Sequence, residues 1–396
     1  MESARVCYIS REMLTLPIEG NHVASRRIIA AAEEAGIKSY VLTVETEKGL
    51  RAPRNWEVVN SRTAPSSDLL GPRTLLALDD LLTSISLSVK AKSSDCQLIH
   101  VLNISKEAYV TAHNLMHVNK PLLVHFFHSQ YTLNDDVFMI RNLAMRAGLY
   151  GRSKKNYILT TNRSLQRFLI NELGAHPENV HFAPYPINTD LFKPLESRED
   201  LREKYGLPED KLIIAYVGSL SPARGLTDLI KAFPKILSHI PEALLYVSYP
   251  RREGEKEHER RVHSLSGDLS RRGKIVLDGP SGNVQEIYSF ADIVALPFVR
   301  PYWVDPPLIL LEAMSSGAVL VSTPIGAMAE VLRDHENAYV AKAGDPSALA
   351  DKIIEALDNP GESEKIAQRA RETIVHTYSY GVVGERLLRI YDSILN

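Results

Sequence analysis

The sequence predicts an α/β protein built from two doubly wound domains, and three observations lead there. Short apolar runs alternate with longer stretches of helical periodicity, which implies right-handed βαβ crossovers and a mostly parallel sheet. That pattern restarts after a proline-rich break near residue 185. The chain of 396 residues is also too long for one ordinary core and suits two domains near 200 residues each.

The elements follow in order. In the first half, residues 6–10 read as a strand and 22–35 as a helix with apolar residues every three to four positions. Residues 39–43 form a second strand, 98–102 a third, 121–127 a fourth, with 157–161 and 180–184 after them. The stretch Ala183-Pro-Tyr-Pro-Ile-Asn-Thr-Asp-Leu-Phe-Lys-Pro194 holds three prolines in twelve residues and reads as an interdomain linker. Beyond it, 212–217 is a strongly apolar strand, 226–240 a helix, 243–248 a strand and 274–277 another. Residues 284–290 read as helix, 292–297 as strand, 308–315 as helix and 319–322 as strand. Helices over 347–357 and 362–395 close the chain. The expected boundaries are 1–185, 186–375, and a last segment, 376–396, that crosses back to the first domain.

Composition excludes several classes. At 44% hydrophobic and 24% charged residues the chain is globular rather than disordered. A net charge of −2 argues against nucleic acid as a partner. Two cysteines, Cys7 and Cys96, build neither a disulfide framework nor a cysteine-rich metal site. His113 and His117 share i, i+4 spacing without an acidic or cysteine partner at matching spacing, so no metal is expected. The N-terminal apolar run is too short for a signal peptide, and no stretch reaches the length of a membrane helix. The expected location is the cytoplasm. Arg141, Arg146, Arg152, Lys154 and Lys155, beside Phe138 and Tyr150, fit either a solvated helix edge or a peripheral contact with the inner face of a membrane.

No dinucleotide fingerprint, phosphate-binding P-loop, nucleophile elbow or zinc-protease pair is present. Two segments of the second half carry chemistry instead. In Ala215-Tyr-Val-Gly-Ser-Leu-Ser-Pro-Ala-Arg-Gly225, a strand ends on a glycine, and a short loop leads to Arg-Gly at the mouth of a helix. Gly218 permits close backbone approach to a ligand and Arg224 can pair with an anion there; a turn glycine and a solvated arginine fit the same spacing. In Pro301-Tyr-Trp-Val-Asp-Pro-Pro-Leu-Ile-Leu-Leu-Glu-Ala-Met-Ser-Ser-Gly317, two prolines precede an apolar helix, where a missing N–H costs least. The amides of Leu308 and Ile309, with the helix dipole, then suit an anion. Glu312 follows four apolar residues, so it is either a ligand-binding carboxylate or one satisfied by backbone donors.

Together with Ser281-Gly-Asn-Val-Gln-Glu-Ile-Tyr-Ser-Phe-Ala-Asp-Ile-Val-Ala-Leu-Pro297, Pro324-Ile-Gly-Ala-Met-Ala-Glu330 and the linker, these segments resemble the C-terminal domain of a family 4 glycosyltransferase of GT-B fold. The resemblance covers most of residues 180–360; the first half is similar through its strand order, Gly20-Asn21-His22 and His128. It implies two Rossmann-like domains facing across a cleft. It also implies transfer of a sugar, with retention and without metal, from a nucleotide-diphosphate donor. The acceptor, a glycan, a lipid-linked molecule or a small molecule, stays open. No cofactor is implied beyond the donor itself. Glu312 falls on the second glutamate of the family's E-x7-E motif, which bonds the donor ribose. Arg224 falls on the lysine that neutralises the diphosphate, and Leu308 on a residue whose amide faces a phosphate. His128 matches a histidine near the donor sugar and Gly20 a glycine-rich loop, although a satisfied histidine and a simple turn fit as well.

Three departures stand out. Eight positions before Glu312 lies Val304 rather than glutamate, with Asp305 one residue off and a candidate to serve in its place. Ser219 stands where the family has an arginine. Ser248-Tyr-Pro-Arg-Arg252 replaces a glycine-rich turn, leaving Arg251 or Arg300 to restore the lost charge. These losses leave open a second reading, a GT-B nucleotide-binding or scaffold protein that has lost efficient catalysis.

Overall fold

The structure is a computed structural model that describes residues 4–11, 20–44, 55–59, 72–127, 156–195, 197–250, 255–279, 283–301 and 305–396. The chain divides into two compact units, residues 1–186 with 380–396, and residues 187–379.

Unit 1 is a parallel sheet of β1 (Arg5–Arg11), β2 (Lys38–Val44), β3 (Trp56–Val59), β4 (Leu98–Val101), β5 (Leu122–Phe126), β6 (Asn156–Thr160) and β7 (Val180–Phe182), in the order β3-β2-β1-β4-β5-β6-β7. Every residue of β4 and of β5 is buried, as expected of parallel strands covered on both faces. One face carries Cys7, Ile9, Val101, Val124 and Phe126 into an apolar core. The C-terminal helix Tyr380–Leu395 belongs to this unit and lies so close to the helix Gly20–Glu34 that a Cβ at Gly384 would overlap the Ala31 carbonyl.

Unit 2 is a second parallel sheet of β8 (Leu212–Val217), β9 (Ala243–Ser248), β10 (Ile275–Asp278), β11 (Ile293–Leu296), β12 (Leu320–Ser322) and β13 (Tyr339–Val340), in the order β10-β9-β8-β11-β12-β13. That is the doubly wound order whose direction of winding reverses between β8 and β11. The β8–β9 ladder runs over six register pairs. The β8–β11 ladder has two, Ile214 with Ile293 and Ala215 with Val294, although β8 continues to Val217 and β11 to Leu296.

The structure corrects the sequence reading at several elements. The strand at Leu98–Val101 is the fourth, because Trp56–Val59 forms an edge strand on β2. Only four residues long and with Glu57 in its middle, it lacks the apolar run of a central strand. The helix Pro72–Ser93 was absent from the expectation because its buried stripe includes Thr83, Ser84 and Ser88 beside Leu87 and Ala91, so hydroxyls mask the period. The helices Lys106–Leu115 and Arg163–Asn171 start at side-chain caps, Ser105 accepting from Ala108 N and Asn162 from Leu165 N. The closing helical stretch is two helices, Pro360–Tyr378 and Tyr380–Leu395.

Candidate functional site

In open α/β sheets ligands bind outside the carboxyl ends of the strands where the winding reverses. In unit 2 that edge is formed by the segment after β8 and the segment after β11, and seven of the expected site residues lie on them.

Gly218 follows β8 directly. Its φ of +145° favours glycine, and its amide donates to the Ser248 carbonyl at 3.1 Å. A Cβ built there would stand 3.4 Å from Ile309 Cδ1, so this glycine is where the β8 segment meets the helix Leu308–Ser315. Ser219 is buried, its carbonyl accepts from the Tyr216 hydroxyl at 2.6 Å, and its Oγ has no hydrogen-bond partner among the described residues. The Leu220 amide donates to Glu255 Oε2 at 2.8 Å, tying the loop to the segment before the helix Lys256–Arg271.

Arg224 lies in the turn Pro222–Arg224, its guanidinium 4.9 Å from the centre of the Phe298 ring. Two features press this turn onto the segment after β11. The Val299 amide donates to the Ala223 carbonyl at 2.9 Å. Gly225, at φ +75°, lies where any Cβ would overlap the Pro297 carbonyl. Only glycine fits that backbone at that approach.

The helix Leu308–Ser315 begins after Pro306 and Pro307. Its first amides have no intrahelical acceptor and lie at the positive end of the helix dipole. Glu312 is one turn in, on the face of Leu308, and is only 6% exposed. The far end of this helix is fastened as well: Ser315 Oγ donates to the Phe192 carbonyl at 2.6 Å, and Arg371 donates to the carbonyls of Phe192 and Ser315.

Asp305, expected to stand in for the missing carboxylate at 304, is 2% exposed. Both its oxygens accept from the Ala327 amide, at 2.9 and 3.0 Å, in the turn after β12. A Cβ at Gly326 would lie 2.6 Å from Asp305 Oδ2. Burial pushes the Asp305 carboxyl up to about 7; the Ala327 amide opposes the shift and Glu330 adds to it.

Other expected residues fall elsewhere. Gly20 is the first residue of the helix Gly20–Glu34 in unit 1. His128, Trp303, Val304, Arg251 and the basic stretch at 141–155 lie outside the described residues. His125, on β5, is buried in unit 1 in a polar chain with no counterpart in the sequence reading. His125 Nδ1 lies 3.2 Å from His100 Nε2, His100 Nδ1 lies 2.7 Å from the Tyr391 hydroxyl, and that hydroxyl lies 3.2 Å from Tyr8 Oη. Burial pushes His100 down to about 3 and His125 well below the usual histidine range. Such a chain joins residues 291 apart in sequence, a pairing that no local pattern carries.

Residues 197–373 match the family model described as Glycosyl transferases group 1. The N-acetyl-alpha-D-glucosaminyl L-malate synthase of Bacillus anthracis is 24% identical over 194 residues, 49% of this chain and 48% of that protein. The D-inositol 3-phosphate glycosyltransferase of Xylanimonas cellulosilytica is 26% identical over 221 residues, 54% of this chain and 51% of that protein. The chain thus spans about half the length of these curated relatives. Among solved structures, Anabaena HepE in complex with UDP has a TM-score of 0.76 at 16% identity, covering 98% of this chain and 100% of that one. That likeness establishes the fold: α/β, GT-B, with two Rossmann-like domains. Among the described residues, no helix is long and apolar enough to cross a membrane.

Proposed function

We propose that the protein is a retaining, metal-independent glycosyltransferase. On this reading unit 2 holds a nucleotide-sugar donor and unit 1 holds the acceptor, a glycan, a lipid-linked molecule or a small molecule, in the cytoplasm or at the inner face of a membrane. The observation that carries it is the meeting of Gly218 and Ile309 where the winding of unit 2 reverses, with Arg224 on one segment and Glu312 on the other. The match to group 1 glycosyl transferases over 197–373 supports it. So does the complex of the structurally similar HepE with UDP-glucose.

The roles follow from charge. Breaking the sugar–phosphate bond leaves negative charge on the departing diphosphate while the sugar becomes oxocarbenium-like. Arg224 and the Leu308 and Ile309 amides stabilise that charge, and Glu312 accepts from the ribose hydroxyls. Gly218 and Ser219 let the phosphates approach the backbone. His128 is the proposed partner of the donor sugar. Removing one preorganised donor of this kind commonly costs roughly 10²–10³ in rate, so Arg224→Ala is expected to fall in that range.

The test is a thermal-shift panel of UDP, GDP, ADP, dTDP and their common sugars, with and without magnesium. A ligand at 100 times its Kd adds about 2.7 kcal/mol, a shift of several degrees for units of this size. A selective shift that EDTA does not abolish, with turnover of the same sugar nucleotide and retained anomeric configuration in the product, is the expected result. A second reading is a GT-B nucleotide-binding or scaffold protein. It is favoured by Val304 in place of the motif's first glutamate and by Asp305 being engaged by the Ala327 amide. Binding of the nucleotide without consumption of any sugar donor would establish it instead.

A further inference from the structure

The segment that leads into the donor helix is fastened to the next strand's loop by a buried carboxylate. We propose that Asp305 is a positioning residue of the donor site, whose carboxylate ties the start of the Leu308–Ser315 helix to the Gly326–Ala327 turn and so sets where the Leu308 and Ile309 amides stand. This rests on the reading of that helix as the diphosphate site.

Three observations converge on it. The carboxylate accepts from Ala327 N through both oxygens while almost wholly buried. Gly326, at φ +60°, gives it a flat seat that any side chain would fill. The same two segments are joined twice more, by Ser322 Oγ donating to the Leu296 carbonyl at 2.7 Å and Thr323 Oγ1 donating to the Phe298 carbonyl at 2.5 Å. Those two bonds hold the beginning of the post-β11 segment. Asp305 holds its end, three residues before Leu308, a reach of about 10 Å at full extension. Pro306 and Pro307, with φ restrained by their rings, leave that tether little freedom. A displacement at Asp305 therefore passes to the first helical amides. Glu330, on the helix Met328–Val331, adds its charge to the burial that raises this carboxyl.

The Asp305 carboxyl accepts from the Ala327 amide rather than from the donor, which separates its role from that of a group touching the donor. Asp305→Ala removes the acceptor. Asp305→Asn keeps an oxygen for Ala327 N in the same shape. Gly326→Ala leaves the carboxylate in place but drives a methyl into its seat.

The experiment is calorimetric titration of the full chain and these three variants with UDP, GDP and ADP, and with the matching nucleosides. Asp305→Ala and Gly326→Ala are expected to weaken the bound diphosphate at least about tenfold while leaving the nucleoside within about twofold, and Asp305→Asn to recover most of the loss. Equal loss of nucleoside and diphosphate would mark general damage and overturn the proposal. So would a diphosphate affinity unchanged in Asp305→Ala, or an Asp305→Asn as weak as the alanine variant. A wild-type chain that binds none of the three diphosphates overturns the donor-site reading itself, and this inference with it.

Discussion

The two sheets share a strand order through their first six strands, yet they bury opposite kinds of titratable group. Unit 1 encloses His100, His113 and His125 and half-buries His181, each with its proton affinity lowered chiefly by burial. Unit 2 encloses Asp305, whose carboxyl burial raises to about 7. A histidine kept neutral inside a fold must charge when the chain unfolds in acid. Below about 6.5 the unfolded chain binds more protons, and stability falls with pH. For Asp305 the sense reverses: between about 3.9 and its folded value the native state binds the extra proton, so stability falls as pH rises through that window. Through these groups, mild acid takes stability from unit 1 and relieves the buried Asp305 carboxyl of unit 2. Polarity inside a sheet is set by what the side chains must hold, not by strand order.

The largest expected effect is a separation of the two units on acidification. Each fully buried histidine contributes about 2 kcal/mol of lost stability between pH 6.5 and 5. Calorimetry at pH 7.5 and pH 5 should show the transition of unit 1 moving down relative to that of unit 2. Transitions that move together would break the comparison. Backbone packing comes next. Gly225→Ala in unit 2 and Gly384→Ala in unit 1 each force a methyl into a carbonyl oxygen, and each should cost about 4 kcal/mol or more in denaturant unfolding.

Asp305→Asn sharpens the contrast, since it removes a charge whose burial is unfavourable. At pH 8 it should raise the stability of unit 2 by about 3 kcal/mol, and at pH 5 the gain should shrink by more than half. A constant gain at both pH values would mean that ionisation is not the source. Tyr391→Phe deprives both Tyr8 Oη and His100 Nδ1 of their partner and should cost about 1–3 kcal/mol. Tyr216→Phe, which deletes one bond to the Ser219 carbonyl, should cost about 1 kcal/mol. Smallest of all, Lys235→Ala breaks the exposed pair with Asp351 and should stay within about 0.5 kcal/mol.

Unit 2 was the more legible half for a physical reason. Its strands are continuous apolar runs, its helix 226–239 shows a clean period, and the helix 308–315 is announced by two prolines before an almost wholly apolar stretch, so their positions follow from local pattern. Unit 1 hides Pro72–Ser93 behind buried hydroxyls and Trp56–Val59 behind its edge position. At the site, local signals located what is local: the glycine after β8, the arginine at the turn, the prolines before a helix and the glutamate one turn inside it. The partner of Asp305 was not legible, because Ala327 is 22 residues away and reaches it only through the pairing of β11 with β12. Gly225 read as a helix-mouth glycine, and only the fold shows the Pro297 carbonyl that demands it.

The donor site in unit 2 is tested most directly by titrating nucleoside diphosphates into the wild-type chain and Glu312→Ala. One base should bind selectively to the wild type. The Glu312→Ala variant should bind it about 10–100-fold more weakly, the loss of hydrogen bonds to a charged acceptor. A wild-type chain that binds none of them, or a variant that binds as tightly as the wild type, would contradict the assignment of this edge of unit 2 as the nucleotide site.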